Sequence, residues 1–343
     1  MHKTAYSIII TALALFLALA SCQRSGASAD IDISGIDLDV RFERFDRSLI
    51  ALPVANPDSL ALAYGALRPV YGGLLDLFAI RIIGIGHPQS PAFGGMLQRF
   101  LTDTMIVDLA GRVQQAFDRT DGFERELTDA FRRACVYFPT RPTPRLFTMI
   151  SGFNLSVGID SAALCIGLDR YLGPACEYYT MLGIPRYMQA KMGSERIVPD
   201  AVRAWVVGEF PFVDSVDNFA ARMMWEGAVM LAVRRLLPQM PEAQLFGFTD
   251  GQMQFCRNNE QRMWTTLVEQ KLLFSNNALE INKYLGEAPF TAGFTQESPG
   301  RATVWLAYRI AECYMRQHRE TTLADLMLTT DYVAILNGAR YRP

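Results

Sequence analysis

The sequence predicts an α+β fold: a single, mainly helical domain with a small sheet early in the chain. Three observations carry this. Alternating apolar and polar runs are confined to the first half, while helical spacing with capping signals fills almost everything beyond Val198. Half of the residues are hydrophobic, yet past the leader no run approaches the ~20 apolar residues of a membrane span, so the surplus belongs to a sizeable core. Strands first and helices afterwards is the order of an α+β domain.

The leader comes first. His2 and Lys3 precede an apolar run over residues 8–20, which closes in Leu19-Ala20-Ser21-Cys22. A basic start, an apolar stretch and small residues make a secretory signal, too short to span a bilayer. The cysteine directly after the small residues gives the pattern of a bacterial lipobox. Cleavage is expected between Ser21 and Cys22, with the Cys22 thiol carrying a diacylglyceryl group and the mature terminus two or three acyl chains such as palmitate. At roughly 0.8 kcal/mol per buried methylene, two chains hold a protein on a membrane where one does not. Residues 1–21 are therefore read as a lipoprotein signal peptide, 22–30 as a Ser/Ala/Gly-rich tether, and 31–343 as the folded domain. The lipid on Cys22 is the only covalent group expected, with no other cofactor. Gln23, where aspartate would signal inner-membrane retention, favours the outer membrane of the cell envelope and leaves the face open.

Within the domain, residues 36–42 alternate as a strand with one wet face. Asn56-Pro57-Asp58-Ser59 opens a helix over 60–66, and 102–117 and 124–137 read as helices. The glycine-punctuated apolar segment 72–91 has no clear period and is unassigned. Pro139, Pro142 and Pro144 end the helical stretch. Residues 145–153 and 163–169 read as strands joined by a hairpin through 154–161. Pro199 suits the first turn of a helix through Phe210, and 219–237 is a long helix stopped by Pro238. Thr249 and Gln252 form a capping-box pair ahead of a helix over 253–274. Ser298-Pro299 caps and starts a helix through Gln317, and Thr322 with Asp325 opens the last.

Chemistry is harder to find. A formal net charge of −2 with scattered basic residues argues against nucleic acid or a polybasic lipid surface. Setting Cys22 aside from the six cysteines leaves five with no Cys-x-x-Cys spacing, read mostly as buried thiols; Cys165 with Cys176 is the one local pairing to check. Past the leader only His87 and His318 remain, and a catalytic zinc normally takes three protein ligands, mostly histidine. No nucleophile elbow occurs, and Gly84-Ile85-Gly86 lacks the third glycine of a dinucleotide loop. No catalytic residue and no metal ligand is assigned.

One arrangement invites more. An edge strand and hairpin followed by a long helix is the order in which zincin-type metallopeptidases build their cleft, with His-Glu-x-x-His on the helix. Here the helix reads Trp225-Glu226-Gly227-Ala228-Val229: the glutamate is kept, and Trp225 and Val229 stand at the two ligand positions. That is compatible with a degenerate zincin-like fold that cannot hold zinc in the usual way. Trp225 and Glu226 are candidate cleft residues, and Glu297 and Arg301 candidate contact residues. A weaker candidate is a small-ligand pocket lined by Tyr178, Tyr179, Tyr187 and nearby methionines.

Several stretches in order complete the reading: residues 40–46 (Val-Arg-Phe-Glu-Arg-Phe-Asp), Tyr137-Phe138-Pro139, Ile150-Ser151-Gly152-Phe153, Ile166-Gly167-Leu168-Asp169-Arg170-Tyr171-Leu172-Gly173, Leu182-Gly183-Ile184-Pro185, Ile197-Val198-Pro199-Asp200, Glu226-Gly227, Asn259-Glu260, Glu297-Ser298-Pro299-Gly300-Arg301 and the terminal Arg340-Tyr341-Arg342-Pro343. By these the chain resembles the gliding-motility lipoproteins of the GldB family of the Bacteroidota and, more distantly, zincin-type predicted peptidases. The resemblance implies a membrane-anchored, non-catalytic envelope lipoprotein with protein partners in the gliding and type IX secretion apparatus. It carries over Cys22 as the lipidation site and no catalytic residue. The alternative it leaves is a relict metallopeptidase-like hydrolase without its zinc site.

Overall fold

Four short strands organise the chain. The computed structural model describes residues 31–160, 163–213 and 217–343, so the predicted leader, the Ser21–Cys22 cleavage and lipidation site and the tether lie outside the described residues. Strands β1 (Phe42–Arg44), β2 (Arg145–Met149), β3 (Val157–Asp160) and β4 (Ala163–Gly167) form one sheet in the order β1-β2-β4-β3. The first three in that order run parallel, and β3 returns antiparallel at the edge.

Two strand expectations are corrected. The predicted hairpin partners, β2 and β4, are parallel, with Leu146 opposite Leu164 and Phe147 opposite Cys165. The intervening segment is itself the strand β3, too brief and too glycine-broken to read as one. The predicted first strand shrinks to three residues because its upstream backbone bonds to side chains. Val40 N donates to Thr128 Oγ1 (3.1 Å) and Phe42 N to Glu124 Oε1 (3.1 Å), both on a neighbouring helix.

Because successive side chains of a strand face opposite ways, the sheet separates two apolar clusters. Phe147, Met149 and Cys165 face a smaller one under α1 (Phe45–Ile50), α2 (Pro57–Gly65) and α3 (Phe93–Thr102), where Phe45, Tyr64, Phe78 and Phe93 are fully buried. Leu146, Leu164 and Ile166 face the larger cluster. Cys165 and Cys176 fall in different clusters and are both free thiols, so the local disulfide does not form. Burial pushes the Cys165 thiol up to about 12, which keeps it inert. The unassigned segment contains the π-helix Leu77–Ile82, whose wider turn departs from the 3.6-residue period that reveals helices.

The larger cluster is built by α4 (Thr104–Ala116), α5 (Asp121–Tyr137), α6 (Ile197–Glu209), α7 (Phe219–Leu236), α8 (Asp250–Asn258), α9 (Glu260–Glu269), α10 (Ala278–Leu285), α11 (Ala302–Gln317), α12 (Leu323–Leu328) and α13 (Tyr332–Gly338). Helix α7 is apolar nearly all round and accordingly central, with Phe219, Met223, Val229 and Leu236 wholly buried. Asn218 caps it through Ala221 N at 2.9 Å. Gly227 lets α11 cross it closely, since a Cβ there would stand 2.5 Å from Ala307 O.

Further boundaries move. The helix predicted over 253–274 keeps its Thr249–Gln252 capping box but breaks at Asn259, whose side-chain amide donates to Phe255 O at 2.9 Å in competition with the helix backbone. Ser298 and Pro299 do not start α11. Ser298 Oγ donates to Thr295 O (2.6 Å), and the helix begins only after Arg301 has taken a left-handed conformation at φ 63°. The Thr322–Asp325 box opens α12, which is followed by α13. Among the described residues no helix is long and apolar enough to cross a membrane.

Candidate functional site

A single carboxylate interrupts the apolar surface of α7, and it organises the most unusual region of the molecule. Glu226 accepts from Arg203 Nη2 on α6 through both oxygens, at 3.0 and 2.8 Å, and Arg301 Nη2 lies 2.9 Å from its Oε2. Arg301 also reaches Glu287 Oε1 (3.2 Å) and donates from Nε to Leu285 O (3.1 Å). Lys191 Nζ closes the series on Glu287 Oε2 at 2.8 Å. Charges of alternating sign thus run Arg203, Glu226, Arg301, Glu287, Lys191, each from a different segment. Beside them Arg196 pairs with Asp200, whose Oδ2 accepts from Tyr171 OH at 3.1 Å.

Local backbone geometry delivers Arg301. Gly300 passes so close to Ala288 that a Cβ would sit 2.0 Å from its carbonyl oxygen. Thr291 Oγ1 ties the same turn down, donating to Pro299 O (2.8 Å) and accepting from Ala302 N (2.9 Å). The left-handed residue between this turn and α11 then turns its guanidinium inward, leaving its side chain 19% exposed.

Burial alone would raise the Glu226 pKa. The Arg301 and Arg203 guanidiniums outweigh it and hold the carboxyl below the usual range. Glu287 is lowered in the same way, with burial overcome by Lys191 and Arg301. Arg301 is raised, its own burial outweighed by Glu226 and Glu287. Glu226, Glu287 and Arg301 are thereby held in their charged forms near neutrality. Ion pairs taken partly out of water, as those of Glu226 and Arg301 are, seldom stabilise more than well-packed apolar residues of similar volume, so the series needs another reason for being there.

The reason is next to it. Lys191, Arg196, Asp200, Arg203, Glu287 and Arg301 form the floor of a cavity of ≈ 180 Å³, walled by Met230 and Phe248. Lys191, Arg196 and Phe248 also border a wider mouth of ≈ 560 Å³, between Tyr187, Pro241, Pro289 and Pro299. The two make one cleft, charged at its base and ring-lined at its entrance.

Of the residues singled out in the sequence, Glu226 and Arg301 meet here. Trp225 turns away, its Nε1 donating to Phe210 O (3.0 Å) and its ring against Phe212; with Glu226 it borders a separate pocket of ≈ 350 Å³. Glu297 is exposed, bonded to Thr295, and takes no part in the series. Val229, the other position of the zincin pattern, is wholly buried. His87 is exposed and accepts from Gln89 N, while His318 stacks on Tyr314. Among the described residues no group of three or more His, Cys, Asp and Glu could hold a metal ion. The three tyrosines part company: Tyr179 is buried with its hydroxyl donating to Asp169 O, Tyr178 bonds Asp108, and only Tyr187 reaches the cleft. Sequence reasoning missed Lys191, Arg196, Arg203 and Glu287, which no spacing connects; Asp200 was quoted only as part of a family stretch.

A family model described as gliding motility protein GldB matches residues 26–343. The chain belongs to the GldB family. Searches of curated proteins and of solved structures each return no match. The match gives no support to a zincin likeness. Two of the stretches by which this GldB chain resembled its family prove to be one clasp at the end of the sheet. Asp169 accepts from Ser151 N (3.1 Å), Phe153 N and Ser151 Oγ, while Gly167 lets Leu155 O approach to where a Cβ would be. Burial raises the Asp169 pKa, and those hydrogen bonds pull against it. The clasp shapes the GldB fold; the charged cleft lies elsewhere.

Proposed function

We propose that this protein is a lipid-anchored lipoprotein of the cell envelope, acting without catalysis as a binding component of the gliding-motility and type IX secretion apparatus. The family match over residues 26–343 carries the reading. The lipobox at Leu19-Ala20-Ser21-Cys22 supports an anchor at Cys22, with Gln23 favouring the outer membrane. Protein partners in the apparatus would then meet the domain within the short reach of its tether. The cleft fits binding better than hydrolysis. Glu226, at the place of a peptidase base, is clamped by two guanidiniums and lowered in pKa, whereas a general base works best with a pKa near the working pH. Nothing in the geometry favours the relict-peptidase alternative.

The test is the secreted-protein profile and surface spreading of a strain lacking the gene, complemented with wild type or with Cys22→Ala. Loss of export and spreading, restored only by the anchored form, is expected. Normal export and spreading in the deletion strain would overturn the proposal.

A further inference from the structure

We propose that the charged floor beside Glu226 binds a terminal carboxylate, that of a peptide C-terminus, with the ring-lined mouth taking the residues that precede it. The inference deepens the binding role proposed above and rests on it.

Charge is the first argument. The floor and the ion series together hold Lys191, Arg196, Arg203 and Arg301 against Asp200, Glu226 and Glu287, four cations to three carboxylates. One positive charge of the floor is uncompensated there, the carboxylates of Glu195 and Asp250 lying on the exposed border of the mouth. A monoanion neutralises it, while a doubly charged phosphate would leave the floor negative. Unspent donors are the second argument. Arg203 uses only Nη2, on Glu226; its Nε is buried with no acceptor, and among the described residues none meets Nη1. Nε is closed off from the cavity, so Nη1 is the donor that Arg203 keeps for a carboxylate oxygen, the kind of acceptor a guanidinium suits best. Arg301, by contrast, spends all three of its nitrogens on Leu285, Glu287 and Glu226 and serves to hold the floor together.

Shape decides between a free small anion and the end of a chain. At about 30 Å³ per water, ≈ 180 Å³ holds a carboxylate with its α-carbon and little more. The mouth of ≈ 560 Å³ falls in the range of small-ligand pockets, roughly 300–1,000 Å³, and would stay empty behind acetate. Tyr187, Phe248, Pro289 and Pro299 give it flat apolar walls against which a few extended residues can lie. Capture of a chain end by its charge, with neighbouring surface reading the adjacent side chains, is a known mode of peptide recognition.

The experiment offers the full-length protein, purified in detergent, a random N-acetylated tetrapeptide library in two forms, free acid and C-terminal amide, and identifies the retained peptides by mass spectrometry. Wild type is expected to retain the acids over the amides by about tenfold or more, and Arg203→Gln to abolish that preference. Equal recovery of acids and amides by wild type overturns the proposal without any variant. So does an acid preference untouched in both Arg203→Gln and Lys191→Gln, the second being the end of the ion series, where floor and mouth meet, which serves if the first fails to fold. Inorganic phosphate raising the melting temperature of wild type while acids go unselected would assign the floor to a phosphate group instead, and also overturns it. Failure here alongside an export defect in the deletion strain would leave the apparatus reading standing.

Discussion

Glu226 shows how far a single residue departs from its sequence context. On paper it is one glutamate in an apolar helix; in the fold it pairs with two guanidiniums, from α6 and from the turn before α11. Removing its charge while they remain buried costs about 3 kcal/mol, so Glu226→Gln is expected to lower the urea midpoint at neutral pH. The pH dependence has a definite sign. The folded-state pKa values of Glu226 and Glu287 are depressed, so their contribution is complete above the unfolded value of about 4.3 and is lost as pH falls toward the folded values. Wild type should weaken on acidification below about pH 5, and Glu226→Gln should flatten that part of the profile. Asp169 makes a second residue-scale case. Asp169→Ala strands the Ser151 and Phe153 amides inside the protein and should cost about 2–4 kcal/mol by denaturant unfolding. Its partners lie 16 and 18 positions away in sequence, and nothing in the local pattern names them.

At the scale of elements, what could be read depended on whether an element carries its own punctuation. Helix α7 was legible because Pro238 stops a long, mostly apolar run, and α8 because its capping box is a local device. The sheet was half legible. Alternation marked β2 and β4, while their parallel pairing depends on β3 taking the edge, which no local signal specifies. Helix α3 escaped notice because it opens Phe-Gly-Gly, a poor helix start by propensity, held by close packing on α2. Two glycines separate propensity from packing. Gly227→Ala pushes a methyl against the Ala307 carbonyl where α7 and α11 cross, and should cost about 1–3 kcal/mol. Gly111→Ala, on the exposed side of α4 with open space around it, should be stabilising by up to about 1 kcal/mol. Parallel thermal melts of the two variants check both signs.

For the whole molecule, the sheet with apolar clusters on both faces forms the described body from Ile36 to Pro343. Helices from both halves of the chain are needed to close it. The charged cleft exists only at this scale, because Lys191, Arg203, Glu226, Glu287 and Arg301 are brought together by the packing of α6, α7 and α11 with the turns between them. The proposed anchor belongs to this scale too. Cys22→Ala is expected to move the protein from the membrane pellet to the soluble fraction, since the acyl chains supply nearly all of the proposed membrane affinity. Cell fractionation with immunoblotting checks it.

Sequence by itself determined the fold class and the positions of the main helices. Capping, helix period and strand alternation act over a few residues and can be read along the chain. It also carried enough ordered stretches to point to the GldB family. Only the tertiary structure decided which strands are neighbours, which cysteines stay apart and which of many ordinary charges are buried against one another. Long-range pairing is set by how apolar faces stack, and a buried ion series costs desolvation that only its partners offset. Neither quantity is written in the spacing of residues, so nothing connects Arg203 with Glu226 until the fold sets them together.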